Sequence, residues 1–176
     1  GFGVKRIRIT IKDHVVFLDG SPLAQKISFL RRFDLMEEFV IQHELLNKLN
    51  PSCLNTVRVV TVLDKTSQVH FVGAVMRLGV KNDVDNFHSG GIAVKINMGT
   101  GCLEGDGFRL APSMERDYPV HPVTKIWFDG YQLPYWSQVL DLLKEACQVI
   151  PRVRTVGWDV AIKPDGVCLI EGNHDW

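Results

Sequence analysis

This 176-residue sequence lacks most of the usual compositional signposts. Neither charge sign is in excess. Lys and Arg total 20, and so do Asp and Glu, so the chain has no overall basic field for holding nucleic acid. Its basic start, Lys5, Arg6, Arg8 and Lys12, reads as a solvated strand face. The four cysteines, Cys53, Cys102, Cys147 and Cys168, include no C-x-x-C pair and no histidine at zinc-ligand spacing, so structural zinc is not expected. Free thiols in a reducing compartment are the expectation. No apolar run reaches membrane-span length and no signal-peptide pattern is visible, so the expected protein is cytoplasmic and has no membrane span. There are no repeats, low-complexity tracts or linkers, which leaves one domain over residues 1–176. The chain starts without Met, inside a glycine pattern, and stops just after Asn173-His-Asp-Trp176, as a segment of something longer would. No Ser-His-Asp or Cys-His arrangement stands out.

What is present is concentrated near the end. Val156–Lys163 and Val167–Asn173 are apolar-rich runs flanking Pro164-Asp165-Gly166, a hairpin signal. If Lys163 pairs with Val167 around a three-residue loop, Asp159 falls opposite Glu171. Asn173 then joins Glu171 on the same face. Facing carboxylates lie about 5 Å apart and repel unless a cation or protons sit between them. Two carboxylates and an amide oxygen form an all-oxygen set that suits Mg²⁺. The same spacing also fits a solvated hairpin whose acids never meet, because a one-residue slip moves Asp159 to the other face.

A second hairpin, Thr56–Leu63 and Val69–Leu78, turns at Asp64-Lys-Thr-Ser-Gln68. If Asp64 pairs with Val69, Arg58 lies opposite Val75 and Arg77 follows on the same face. Two guanidinium groups on one enclosed face would hold a phosphate or carboxylate in a fixed fork. On a solvated face they would simply pair with nearby acids. Asn86-Phe-His-Ser-Gly-Gly91 is a polar loop whose adjacent glycines allow close backbone approach to a ligand. In it, His88 reads as a general base or as an ordinary loop histidine. Gly1-Phe-Gly3 fits the tail of a glycine-rich phosphate loop. Glu37-Glu38-Phe39-Val40 fits an edge strand with a charged solvent face.

The other elements follow from periodicity. Val4–Ile11 and His14–Leu18 read as strands, and Ser21-Pro22 as the cap and first turn of a helix running to about Arg32. Leu35–Gln42 reads as a short buried strand, Glu44–Leu49 as one or two helical turns, and Ile92–Asn97 as a strand. Met98–Pro122 is irregular, with room for two short strands. Pro134–Val149 is the clearest helix, with Leu140, Leu143 and Cys147 on one face.

Taken in order, these pieces resemble the ATP-grasp superfamily. The sequence shows a glycine-loop end, the segment Glu37–Val40, Asn55-Thr-Val-Arg58, Val75-Met-Arg77, the Asn86–Gly91 loop and Asp159…Glu171-x-Asn173. The wording of Gln42-His43, Leu49-Asn-Pro-Ser52, Gly157-Trp-Asp-Val-Ala-Ile162 and Leu169-Ile-Glu-Gly-Asn173 is similar to the ATP-grasp family associated with sugar transfer. The resemblance implies an α+β fold, the C-terminal portion of an ATP-grasp domain, with a mostly antiparallel sheet and helices on one side. It also implies ATP and Mg²⁺ as cofactors. Asp159, Glu171 and Asn173 match metal ligands. Arg58 and Arg77 match arginines holding the γ-phosphate and the acyl-phosphate, and Asn86 matches the asparagine beside them. Gly1, Gly3, Glu37, Glu38, Phe39 and Val40 match nucleotide-binding positions. The implied activity is a carboxylate–amine ligase acting on a small-molecule or glycan-linked substrate in polysaccharide or glycoconjugate synthesis. The alternatives are an ATP-grasp kinase with a hydroxyl acceptor and a non-catalytic nucleotide-binding module.

Overall fold

The computed structural model describes residues 7, 9–31, 38–80, 91–109 and 116–174. The chain divides into two compact units, Gly1–Phe39 and Val40–Trp176.

The first unit holds strands β1 (Ile9–Lys12), β2 (Val15–Leu18) and β3 (Ser21–Pro22) in an antiparallel sheet of order β1-β2-β3, followed by helix α1 (Leu23–Leu30). Asp13 and His14 both take positive φ, 48° and 64°. This gives the two-residue turn whose twist matches that of a hairpin. Ser21 and Pro22 do not cap the helix as expected. They pair with Leu18 and Phe17 as a short edge strand, a position where a proline's missing N–H costs nothing.

Among the described residues, the second unit is built on seven antiparallel strands. In chain order these are β4 (Thr56–Leu63), β5 (Val69–Leu78), β6 (Ile92–Ile96), β7 (Leu103–Phe108), β8 (Arg116–Tyr118), β9 (Thr155–Lys163) and β10 (Gly166–Asn173). Their spatial order is β10-β9-β4-β5-β6-β7-β8. The helices described in this unit are α2 (Glu44–Leu49) and α3 (Trp136–Val149). Alternation decides the faces. Val57, Val59, Met76, Leu78, Val94, Trp158 and Val160 turn to one side and bury against Leu46 and Leu49 of α2 and Trp136, Val139 and Leu143 of α3. Both helices therefore lie on that side. The opposite face carries Arg58, Val75, Arg77 and Asp159. Among the described residues, no helix of this unit covers it. The cysteines are free thiols, and no described helix is long and apolar enough to cross a membrane.

The expected buried strand over Leu35–Gln42 is not found in its described part. Residues 38–43 form no regular structure, and Phe39 and Ile41 are 56% and 62% exposed while Gln42 is 6% exposed. An amide network reverses the alternation. Gln42 Oε1 accepts from the Asn55 backbone N–H and side chain, and its Nε2 donates to Asn47 Oδ1 and to the Asn50 carbonyl. Asn50 Nδ2 donates to Asn55 Oδ1 and to the Gly79 carbonyl. Each buried amide is thereby satisfied, so the polar residue lies inside at little cost.

His121 closes the same network. It is fully buried, its Nε2 is 3.0 Å from the Gly79 carbonyl, and its Nδ1 accepts from the N–H groups of Val123 and Thr124. Burial lowers its pKa below the ordinary 6.5, and the charges of Arg109 and Lys125 add to this against the opposing effect of the Gly79 bond. The unfolded chain thus takes a proton near pH 6.5 that the folded chain refuses. His121's contribution to stability is complete above that pH and falls as pH drops below it, by at most about 1.4 kcal/mol per unit. In urea denaturation from pH 7.5 to 5.5, the stability advantage of wild type over His121→Asn should shrink on acidification. A constant difference would mean that His121 is not held neutral by the fold.

Candidate active site

The site is a cross-strand row on the open face. Glu171 of β10 lies directly opposite Asp159 of β9, Asp159 opposite Arg58 of β4, and Arg58 opposite Val75 of β5. Arg77, two residues beyond Val75, sits opposite Thr56. A sheet places such partners close together, and here charges of opposite sign face one another in its centre.

The register arrives by a route the hairpin arithmetic did not foresee. The closing turn has two residues, not three, because Lys163 pairs with Gly166. Counting from that turn, Asp159 would miss Glu171 by one position. The ladder skips Ile170, and beyond this bulge Asp159 meets Glu171. The other hairpin behaves alike. Leu63, not Asp64, pairs with Val69, the ladder skips Val72, and beyond it Arg58 meets Val75. A one-residue bulge reverses the facing of everything after it, so each bulge sets which side chains reach the open face.

Gly172 explains the spacing within Glu171-Gly-Asn173. A Cβ at 172 would lie 2.9 Å from the ring of Trp158, its cross-strand partner. The buried indole donates to Thr61 Oγ1 at 2.8 Å, so the ring is fixed and β10 seats flat upon it. That seat turns Glu171 and Asn173 together to the site side, where Asn173 Nδ2 donates to Glu171 Oε1 at 3.1 Å.

Asp159 is the hub. Its Oδ1 accepts from Arg58 Nε at 2.5 Å, and its Oδ2 accepts from Arg58 Nη2 and Arg77 Nη1, both at 2.8 Å. The Asp159 side chain is 5% exposed and those of Arg58 and Arg77 are 21% and 15% exposed. Burial by itself would raise the carboxyl pKa. The Arg58 hydrogen bonds and the charges of Arg77 and Arg58 outweigh it and hold the group below its ordinary value. The charge of Asp159 is therefore balanced by the protein's own guanidinium groups on the side away from Glu171, and nothing described lies between the two facing acids.

The donor set fits a hard divalent cation. Glu171 is exposed and Asn173 half-buried, and the Asn173 amide oxygen accompanies the carboxylates in an all-oxygen group. Three of about four acceptor positions on the Asp159 carboxylate are taken by guanidinium N–H groups, leaving about one. Among the described residues, no cluster of three or more His, Cys, Asp or Glu side chains forms a metal cage. Of the other sequence-derived positions, Gly1, Gly3, Glu37, Asn86 and His88 lie outside the described residues. Glu38 and Phe39 are exposed and Val40 half-buried, and the boundary between the two units falls between Phe39 and Val40. Sequence reasoning missed the far end of the row. Val75 pairs with Lys95, which pairs with Glu104, and Lys95 Nζ lies 2.7 Å from Glu104 Oε2. Their strands are not joined to β4 by a hairpin, so no local count reaches them.

Fold and site together define an α+β protein with a carboxylate–guanidinium cluster on the open face of an antiparallel sheet. A family model described as sugar-transfer associated ATP-grasp matches residues 27–176, so the chain belongs to that family of ATP-grasp proteins. Comparison with curated proteins and with solved structures returned no match.

Asp159→Asn leaves two partly buried guanidinium groups facing a neutral partner. It is expected to lower stability at pH 7 by about 1.5–3 kcal/mol. Because the Asp159 pKa is lowered from 3.8, this contribution is complete above pH 3.8 and is lost as pH falls through the folded-state value. Denaturation curves recorded without divalent metal should converge only in that acid range. A variant more stable than wild type at pH 7 would show that Asp159 is dominated by repulsion from Glu171.

Proposed function

We propose that this chain is the C-terminal portion of an ATP- and Mg²⁺-dependent ATP-grasp ligase that joins a carboxylate to an amine through an acyl-phosphate, in polysaccharide or glycoconjugate synthesis. The observation that carries this reading is the row Glu171–Asp159–Arg58 with Arg77 beside it, combined with membership of the sugar-transfer associated ATP-grasp family. Glu171 and Asn173 would hold Mg²⁺, with the remaining acceptor position of Asp159 turned to the same ion. When bound, the ion neutralises phosphate charge and orients the γ-phosphoryl group for transfer.

Asp159 also acts on the arginines. It fixes Arg58 and Arg77 through charge-assisted hydrogen bonds, so two cations that would otherwise repel are aimed before substrate arrives. Their assigned work is to stabilise charge on the phosphoryl group as it passes to the substrate carboxylate. An incoming amine then displaces phosphate. Asn86 is assigned beside that phosphate. Gly1, Gly3 and Glu37 to Val40 are assigned to the nucleotide. The protein supplies position and charge and needs no side-chain nucleophile. This agrees with the cluster of Glu171, Asp159, Arg58 and Arg77, made of carboxylates and guanidinium groups with the Asn173 amide beside it.

Calorimetry of the full-length protein should show tighter ATP binding with Mg²⁺ than with EDTA. Glu171→Gln should abolish most of that difference. Equal affinity in both conditions in the wild type would overturn the metal assignment. Arg77→Ala should retain the circular dichroism spectrum and lose about 10²–10³ in ATP-dependent turnover, the usual cost of one preorganised donor. Near-normal turnover would remove Arg77 from the mechanism, and phosphate retained on the acceptor would mark a kinase instead.

A further inference from the structure

The ligand-bearing end of β10 is held by the pairs Glu171 with Asp159, Gly172 with Trp158, and Asn173 with Gly157. A skipped residue, Ile170, separates them from the rest of the hairpin. Had the pairing of Leu169 with Val160 simply continued, Ile170 would meet Asp159, Glu171 would meet Trp158 and Gly172 would meet Gly157. Glu171 would then turn to the core face and Ile170 to the open face. Two effects favour that straight ladder. It avoids a bulge, which leaves one residue unpaired. It also separates the carboxylates of Asp159 and Glu171, which repel when directly opposed. Something stronger enforces the register seen.

Trp158 supplies it. Its indole is buried and donates to Thr61 Oγ1, which in turn lies 3.3 Å from Cys147 Sγ of α3. The ring is thus pinned from the helix side. A Cβ at 172 would lie 2.9 and 3.1 Å from two of its carbons and 3.2 Å from Val156 Cγ1. Only glycine fits opposite Trp158 without displacing the strand. Glu171 in that place would press its Cβ into the ring and carry a carboxylate onto the core face with no cation to meet it. That cost exceeds the repulsion between Glu171 and Asp159, because burial of an unpaired charge is severe and repulsion at an exposed edge is screened. We infer that Trp158 is a positioning residue for the metal ligands. Its fixed ring admits only glycine opposite it, shifts β10 by one residue and so brings Glu171 and Asn173 to the site. β10 is at the edge of the sheet, with β9 as its described neighbour, so it is the strand that yields. Site groups must be held to within about 0.5 Å, and a 2.9 Å approach lies about that far inside ordinary contact. The register rests on packing alone, and its consequence for a cation rests on the metal assignment made above.

Cross-strand nuclear Overhauser contacts in the isotope-labelled full-length protein report the register, and electron paramagnetic resonance of added Mn²⁺ reports the site. Trp158→Leu removes the ring. In the metal-free variant, Asp159 should exchange its contacts with Glu171 for contacts with Ile170. Its Mn²⁺ affinity should fall about tenfold or more, as on loss of a group that orients a ligand. Gly172→Ala leaves the core whole and should lose as much. Gly73→Ala in β5, where a Cβ meets nothing within 4 Å, should stay within about twofold of wild type. Adding Gly172→Ala to Trp158→Leu should cost less than about twofold, since the contact is already gone. Asp159–Glu171 contacts that persist in Trp158→Leu, or undiminished Mn²⁺ affinity in Gly172→Ala, would overturn the inference. A wild type that binds no Mn²⁺, beside a Trp158→Leu variant that still slips, would defeat the metal assignment and leave the hold of Trp158 on the register standing.

Discussion

One carboxylate between two guanidinium groups is the constraint around which the second unit is arranged. Two arginines held close on a sheet repel, and a carboxylate buried opposite another carboxylate resists ionisation. Each difficulty resolves the other when Asp159 sits between Arg58 and Arg77. The arrangement requires β9 and β4 to be neighbours in register, since Asp159 and Arg58 are direct cross-strand partners. It also requires the helices to stay on the far side, where Trp158 and Val160 anchor the same strand in the core. Core and site are thus the two faces of one strand, which explains why β9 is buried on both sides for most of its length.

Local patterning carried much of this. The bounds of β4 and β5 follow directly from runs of β-branched residues ending at turn-forming tracts, and α3 follows from its apolar spacing. The two short strands inside Met98–Pro122 were also legible, as β7 and β8. The α+β class and the family emerge because the charged residues recur in a set order along the chain, a property that survives errors in individual elements.

The misreadings share a physical cause, competition between local preference and a distant partner. Ser21-Pro22 has the chemistry of a helix start, yet β2 supplies a strand to pair with. Phe39 and Ile41 suit a core, yet the amide network draws Gln42 inward and turns them out. The pairing of Asp159 with Glu171 was inferred from a turn one residue too long, and an unseen bulge cancelled the difference. The same happened between Arg58 and Val75. The residues at the far end of the row, Lys95 and Glu104, had no local signal, because only the complete sheet brings them beside Arg58.

The paired bulges separate each turn from the charged row it serves. In both hairpins the register beside the turn and the register at the site differ by one residue, taken up at Val72 and at Ile170. A hairpin without the bulge but with a turn one residue longer would present the same side chains in the same places. Insertions and deletions can therefore move between turn and bulge without disturbing the row. Among homologues, a lengthened turn before residue 69 or 166 should travel with a residue lost near 72 or 170. The unit of inheritance at this site is then the sum of turn and bulge, and the length of either alone is free to drift.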